Sequence, residues 1–230
     1  MRAPGRAAAP AAWAGLLVIS TLLAGLLAAC GTNTADLPHA GGVLQRAAQA
    51  MAGVSSTAFS LSVSGDTSAL PITSADGRIQ KDGQADGDLV IGGQNYPFRL
   101  LGGTFYLQNP DNSWVSSPPA YDPTTLLDPT IGLASLLSGT TGGKTVGQTS
   151  MQGQTTDEVQ ARVPNTLIKQ LTDLTKGQNT LAATMWIGDT TGLLYKFAIP
   201  FRAPDTDGPT TVTVTLKDYN KPIHIVAPKT

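Results

Sequence analysis

The chain opens with an apolar run and then settles into two repeating periods. After Arg2 and Arg6 come Trp13, Leu16, Leu17, Val18, Ile19, Leu22, Leu23, Leu26 and Leu27, and no charge returns until Asp36. Further on, Val43, Leu44, Ala47, Ala48, Met51 and Val54 recur at helical spacing with Gly53 near the end, which predicts an amphipathic helix. From Phe59 the period drops to two. Phe59, Leu61 and Val63 alternate with Ser60, Ser62 and Ser64, the pattern of a half-buried strand. More strands are predicted over residues 72–79 and 85–91. Gly92-Gly93 then turns the chain into 96–101, and Gly102-Gly103 turns it into 104–108.

The middle breaks this rhythm. Pro110, Pro118, Pro119, Pro123 and Pro129 exclude any long element, while Leu126, Leu127, Ile131, Leu133, Leu136 and Leu137 form an apolar helical patch. Residues 139–143 read as a turn-rich close to that patch. Strands resume over 145–150 and 155–163. Pro164 is placed to open a second helix, with Leu167, Ile168, Leu171 and Leu174 on one side. Four more strands are expected over 181–187, 193–202, 210–219 and 223–226, with loops at 188–192 and 204–209. The expectation is about ten strands in two meanders, each beside a helix or helical patch. Few strand–helix–strand alternations occur, so the sheet should be antiparallel and the class α+β.

The apolar run ends Leu27-Ala28-Ala29-Cys30-Gly31. A basic start, an apolar stretch and small residues are the layout of an export signal. The ending resembles the bacterial lipobox, in which the Cys thiol receives a diacylglyceryl group and the chain is cut before it. Residues 11–29 are also long enough for an uncleaved membrane helix. Gly15, Gly25 and several alanines dilute that run, and no basic residues follow closely. The chain has a single Cys, and it stands at the lipobox position. Residues 1–29 are therefore expected to be a lipoprotein signal peptide, Cys30 the lipidated residue and 31–40 a flexible tether. Residues 41–230 remain for one folded domain.

With Cys30 acylated no thiol is left, so that domain must hold together without disulfides. At about 200 residues it is long enough to do so. Charged residues make up 13%, against about 25% in an average globular chain. Without Arg2 and Arg6 the 15 basic residues fall to 13 against 16 acidic ones. No basic stripe appears, which argues against nucleic acid as a partner.

Catalytic arrangements fail in turn. The chain has no Gly-x-Ser-x-Gly elbow, His-Glu-x-x-His pair or phosphate-binding glycine loop. Its two histidines, His39 in the tether and His224 near the end, have no nearby nucleophile or second ligand in sequence. Asp205-Thr206-Asp207-Gly208 has a faint likeness to a calcium loop, but the Glu such a loop needs is replaced by Val214. A polar turn is the simpler reading. Asp82, Asp86 and Asp88 read as a solvated loop and strand start. No catalytic residue, cofactor or metal is expected.

What remains is apolar surface. Residues 181–187 and 193–199 are largely apolar on both faces, which means either burial between layers or a lining for something greasy. Here a family resemblance appears. Tyr121-Asp122-Pro123-Thr124-Thr125-Leu126-Leu127-Asp128-Pro129, then Gly132-Leu133-Ala134-Ser135-Leu136-Leu137, resembles the central signature of the mycobacterial LppX/LprA/LprF/LprG lipoproteins. Ala183-Thr184-Met185-Trp186-Ile187 is similar to their Thr-x-Trp-Ile strand. Residues 214–223 resemble their closing segment, with Tyr219-Asn220 where the family usually has Trp-Gly.

That resemblance implies an antiparallel half-barrel curled over helices, with an apolar cavity between them. It implies binding of acylated envelope lipids (glycolipids, lipoglycans or long-chain diesters) and their carriage across the envelope from the outer face of the plasma membrane. In at least one case a major-facilitator efflux transporter takes part. Leu89, Ile91, Phe98, Leu100 and Phe105 are the expected lining, with Met185, Ile187, Tyr195 and Phe197 as second choices. Alternation leaves the inward face open, because a one-residue slip reverses every assignment. Two rival readings stand beside the carrier: an envelope scaffold that docks an exporter, and a hydrolase acting on envelope lipids.

Overall fold

The computed structural model describes residues 37–68, 70–117, 122–165, 179–203 and 206–229. Cys30, most of the tether and the helix expected around Leu167–Leu174 lie outside them. Helix α1 (Ala40–Ala52) begins where His39 Nδ1 accepts the Gly41 N–H, and it ends at Gly53. Its buried stripe is Val43, Leu44, Ala47 and Met51, as the spacing predicts.

The first meander runs β1 (Ser56–Gly65), β2 (Ile72–Gln80), β3 (Gln84–Ile91), β4 (Gln94–Leu101), β5 (Thr104–Gln108) and β6 (Trp114–Ser117). A 3-10 turn over Pro123–Leu127 and helix α2 (Leu133–Gly139) follow. The second meander runs β7 (Thr141–Met151), β8 (Gln154–Pro164), β9 (Thr180–Gly188), β10 (Leu194–Phe201) and β11 (Thr210–Lys217). Among the described residues these form one open sheet in the order β6-β5-β4-β3-β2-β1-β11-β10-β9-β8-β7, antiparallel at every pairing. The helices pack on one face, α1 and α2 over β7 and β8 and the 3-10 turn over β2 and β3.

Neighbours in the sheet are neighbours in sequence except at β1–β11, where the two meanders join. On the inner face Phe59 meets Leu216, Leu61 meets Val214 and Val63 meets Val212. On the outer face Ser60, Ser62 and Ser64 meet Thr215, Thr213 and Thr211. Cross-strand pairs of this kind each stabilise by about 0.2–1 kcal/mol.

Both ends of this joint are clasped by side chains. At one end the Asp66 carboxylate accepts the Ser68 hydroxyl and N–H and the N–H groups of Asp207 and Gly208. Those two residues belong to the calcium-like run, which serves as a polar turn gripped by Asp66; Asp205 is outside the described residues. At the other end Asn220 Oδ1 accepts the Ser55 N–H and hydroxyl, and the Ser56 hydroxyl donates to the Lys221 carbonyl.

Three expectations need correction. β6 was not foreseen; it is a short edge strand behind the Asn109–Ser113 turn and carries only four residues before the proline pair. The turn expected over 139–143 is instead the end of α2 at Gly139, its C-cap Thr140 and the start of β7, which is irregular between Thr141 and Lys144, so the bulge absorbs Gly142 and Gly143. Pro164 closes β8 opposite Thr180, and the Asn165 N–H reaches the Asn179 carbonyl; the helix expected after it lies outside the described residues. Residues 223–226 form no strand. Asp218 and Asn220 take positive φ (55° and 57°), which turns the chain out of the ladder. The tail then crosses to β4, where the Arg99 guanidinium donates to the Val226 carbonyl at 2.7 Å. Ile225 is buried along the way.

Two glycines shape the packing. Gly77 faces Gly87 between Phe59 and Phe98 in one cross-strand row. A Cβ on Gly77 would lie 2.4 Å from the Asp86 carbonyl and 3.0 Å from the Phe59 ring. Gly77→Val should therefore destabilise the fold by about 1–3 kcal/mol through overpacking, read as a lower urea midpoint.

The Asp66 clasp makes a second prediction. The Ser68 hydroxyl, then its N–H, holds the Asp66 carboxyl below its ordinary value of 3.8. A depressed folded pKa adds stability that is complete above the unfolded value and is lost as pH falls through the folded one. Wild type should lose stability progressively below about pH 4. Asp66→Asn should be less stable at pH 7 and less sensitive to acid, measured as urea midpoints at pH 7 and pH 3.

Candidate functional site

The inner face grades from sealed core to open wall. Under α1 and α2, Val159, Met185, Ile187 and Leu194 are fully buried. Under the 3-10 turn, Ile79, Ala85, Phe98 and Leu100 are buried to within 2%. Farther along the first meander, Leu61, Val63, Leu70, Ile72, Leu89, Phe105 and Leu107 pack against that core but remain half-buried. Ile91 is half-buried too, and Val115 on the edge strand is 47% exposed. Register puts Leu61, Ala75, Leu89 and Tyr96 in one row, and Phe98 and Leu107 in another. The result is a continuous apolar wall across β1–β5 that the described helices leave partly open.

The local sequence explains why the wall stays there. The 3-10 turn and α2 are fixed by two Asp turns. Asp122 accepts the Thr124 N–H and hydroxyl, and Asp128 accepts those of Thr130. These bonds, the Thr130 hydroxyl first, hold the Asp128 carboxyl below its usual range. Between them Gly132 is buried so tightly that a Cβ would lie 2.4 Å from the carbonyls of Thr125 and Leu126. A side chain there would push α2 off the sheet.

The expected lining residues divide along this gradient. Leu89, Ile91 and Phe105 stand on the half-buried wall. Phe98 stacks on Phe105 with ring centroids 5.6 Å apart, and Leu100 lies opposite Phe105 in the ladder. Met185 and Ile187 sit in the sealed core, and Phe197 is opposite Met185. Tyr195 occupies the β10 bulge, edge-on to Tyr219, whose hydroxyl donates to the Leu194 carbonyl. Burial raises the Tyr219 phenol well above its ordinary value. Leu61, Val63, Ile72 and Leu107 were missed. Their alternation was legible, but only the pairing register aligns them with Leu89.

Among the described residues, polar groups near this face form no reactive set. Asp157 is fully buried; Gln148 donates to Oδ1 at 2.8 Å, while Oδ2 accepts no hydrogen bond and lies 3.9 Å from the Arg46 guanidinium. His39 caps α1, and His224 is exposed on the tail. Among the described residues no group of three His, Cys, Asp or Glu could hold a metal ion.

An open antiparallel sheet with helices on one face and a half-covered apolar wall defines an α+β half-barrel of the kind the family resemblance implies. The chain belongs to the LppX_LprAFG lipoprotein family, whose model matches residues 39–225. It is 28% identical over 225 residues to the lipoarabinomannan carrier protein LprG of Mycolicibacterium hassiacum, covering 94% of this chain and 95% of that one. To LprG of Mycobacteroides abscessus it is 31% identical over 216 residues, covering 88% and 91%. The crystal structure of LprF from Mycobacterium bovis superposes with a TM-score of 0.70 at 24% identity, covering 82% of this chain and 96% of that one.

Two substitutions should separate core from wall. Met185→Ala should cost about 2–5 kcal/mol as a buried cavity. Leu89→Ala should cost clearly less, because its site is already half open. Equal losses in denaturant titrations would mean that the wall is ordinary core.

Proposed function

We propose that this chain is a membrane-anchored, non-enzymatic carrier of acylated cell-envelope lipids: glycolipids, lipoglycans or long-chain diesters. The observation behind this reading is the half-buried apolar wall of Leu61, Leu89, Ile91, Phe105 and Leu107 beside a fully sealed core. A soluble domain with no ligand to hold has reason to bury such a wall or break it with polar residues. The names of the LprG relatives, lipoarabinomannan carriers, support the same class of cargo.

The energetics suit the role. Each acyl CH₂ exposed to water costs about 0.8 kcal/mol, so a multi-acyl lipid needs an apolar substitute for the bilayer throughout transfer. Aliphatic and aromatic side chains supply it without directional bonds, so chains of different length can slide in and out. Anchoring would come from Cys30, with the residues between it and the His39 cap of α1 as the tether. This places the domain at the outer face of the plasma membrane, within reach of the bilayer that supplies the lipid and of a major-facilitator efflux transporter.

The test is direct. Full-length protein purified from its native host should bring an acylated lipid into the organic extract, identified by mass spectrometry. Leu89→Trp or Ile91→Trp should empty it with little change in melting temperature. A lipid-free protein that these substitutions merely destabilise would favour an adaptor for an exporter. Cys30→Ala should release the protein from the membrane fraction while lipid still co-purifies.

A further inference from the structure

The Asp157 carboxylate sits fully buried on the inner face of β8 with half of its bonding missing. Its ladder neighbours are Gln148 on β7 and Ile187 on β9. Gln148 donates to Oδ1 at 2.8 Å, while Oδ2 accepts no hydrogen bond. From above, α1 brings the Arg46 guanidinium to 3.9 Å from Oδ2 and leaves the Arg46 side chain half exposed. A buried carboxylate oxygen without a donor is costly, and a half-satisfied buried pair is worse than an apolar one. A charge-assisted pair closes at about 2.8 Å, so this one stands about 1 Å open. A metal ion does not fill the role. The group facing Asp157 from α1 is itself a cation, and no three metal-binding side chains gather there among the described residues.

What keeps the two groups apart is the seat of α1. Beside Arg46 the helix rests on Gly192, where a Cβ would lie 3.3 Å from the Arg46 carbonyl and 3.2 Å from the Ala50 Cβ. Near its start it rests on Gly143, where a Cβ would lie 3.1 Å from both Ala40 and Leu44. Both ends are tied. The Thr145 hydroxyl donates to the Pro38 carbonyl at 2.7 Å, and the Gly53 and Val54 N–H groups bond back to the last turn. A helix held at both ends does not travel along its axis, but over bare glycine it can roll. Helix shifts of about 1–2 Å are ordinary in conformational switches, and a roll of that size closes Arg46 on Asp157.

The roll has somewhere to go. α1 packs on α2, α2 on the 3-10 turn, and the turn over β2 and β3 at the sealed end of the apolar wall. Gly132 stiffens the middle link, because a Cβ there would lie within 2.6 Å of the Thr125, Leu126 and Asp128 carbonyls. Movement of α2 therefore passes to the turn. We propose that α1 is a two-position helix with Arg46 and Asp157 as its catch, and that closing the catch tightens the roof formed by α2 and the 3-10 turn on a bound acyl lipid. The link to cargo rests on the carrier reading; the two positions do not.

The experiment loads full-length protein in detergent micelles with a pyrene-labelled galactosyl diacylglycerol. Release into unlabelled micelles is followed by pyrene fluorescence, and hydrogen exchange is measured over residues 123–139. Arg46→Gln and Asp157→Asn should each speed release about tenfold and raise exchange there, and the double variant should be no faster than either, since one catch is broken only once. Arg46→Lys should stay close to wild type. A lock removes any effect of misfolding. Ala40→Cys with Gly143→Cys places two thiols within disulfide reach across the rolling surface, and the same protein is measured oxidised and reduced. Oxidation should change release about tenfold and alter exchange over 123–139. Additive effects in the double variant overturn the proposal, as do equal release and exchange in the oxidised and reduced forms. If wild type takes up no probe, the carrier reading fails and the link to cargo with it, while altered exchange on oxidation leaves the two positions standing. If the probe is held and oxidation changes neither quantity, the two positions fail and the carrier reading stands.

Discussion

The ladder between β1 and β11 is the joint on which the rest of the molecule depends. Every other strand pair is a hairpin or near-hairpin that forms locally, whereas this one brings together segments about 150 residues apart and must offset the loop-closure entropy of everything between. It does so with an eight-residue register of apolar pairs inside and hydroxyl pairs outside. The Asp66 clasp and the Ser55–Asn220 and Ser56–Lys221 bonds stop it fraying at either end. Without this pairing the two meanders would be separate small sheets, each with a bare edge and an unshared apolar face.

Because the joint fixes the register, it also fixes which residues share a face. Phe59, Leu61 and Val63 point with Leu216, Val214 and Val212, and the alternation spreads outward strand by strand. The helices then decide where that face is sealed. α1 and α2 cover the second meander, and the 3-10 turn covers one end of the first. What the described helices leave open is the apolar wall, since α2 has seven residues and the 3-10 turn five.

Most of the strands were legible because glycine pairs and clean alternation mark them. Gly92-Gly93 and Gly102-Gly103 turn where expected, and β5 has the predicted limits. Misreadings fall where local and tertiary preferences conflict. Gly142 and Gly143 look like a turn but sit in a bulged strand. Residues 223–226 have strand composition, but the sheet holds no partner for them once Asp218 and Asn220 redirect the tail. β6 was hidden because four residues between turn and proline pair carry too short a pattern.

The sequence by itself determined the antiparallel α+β class, the order of the two meanders, the apolar stripe of α1 and the family. These depend on spacing within a few residues, which the chain displays directly. It also supplied Leu89, Ile91 and Phe105 as candidates without saying why they differ from Met185 and Ile187. Only the tertiary structure decided that, because burial is a property of what packs above a residue and not of the residue.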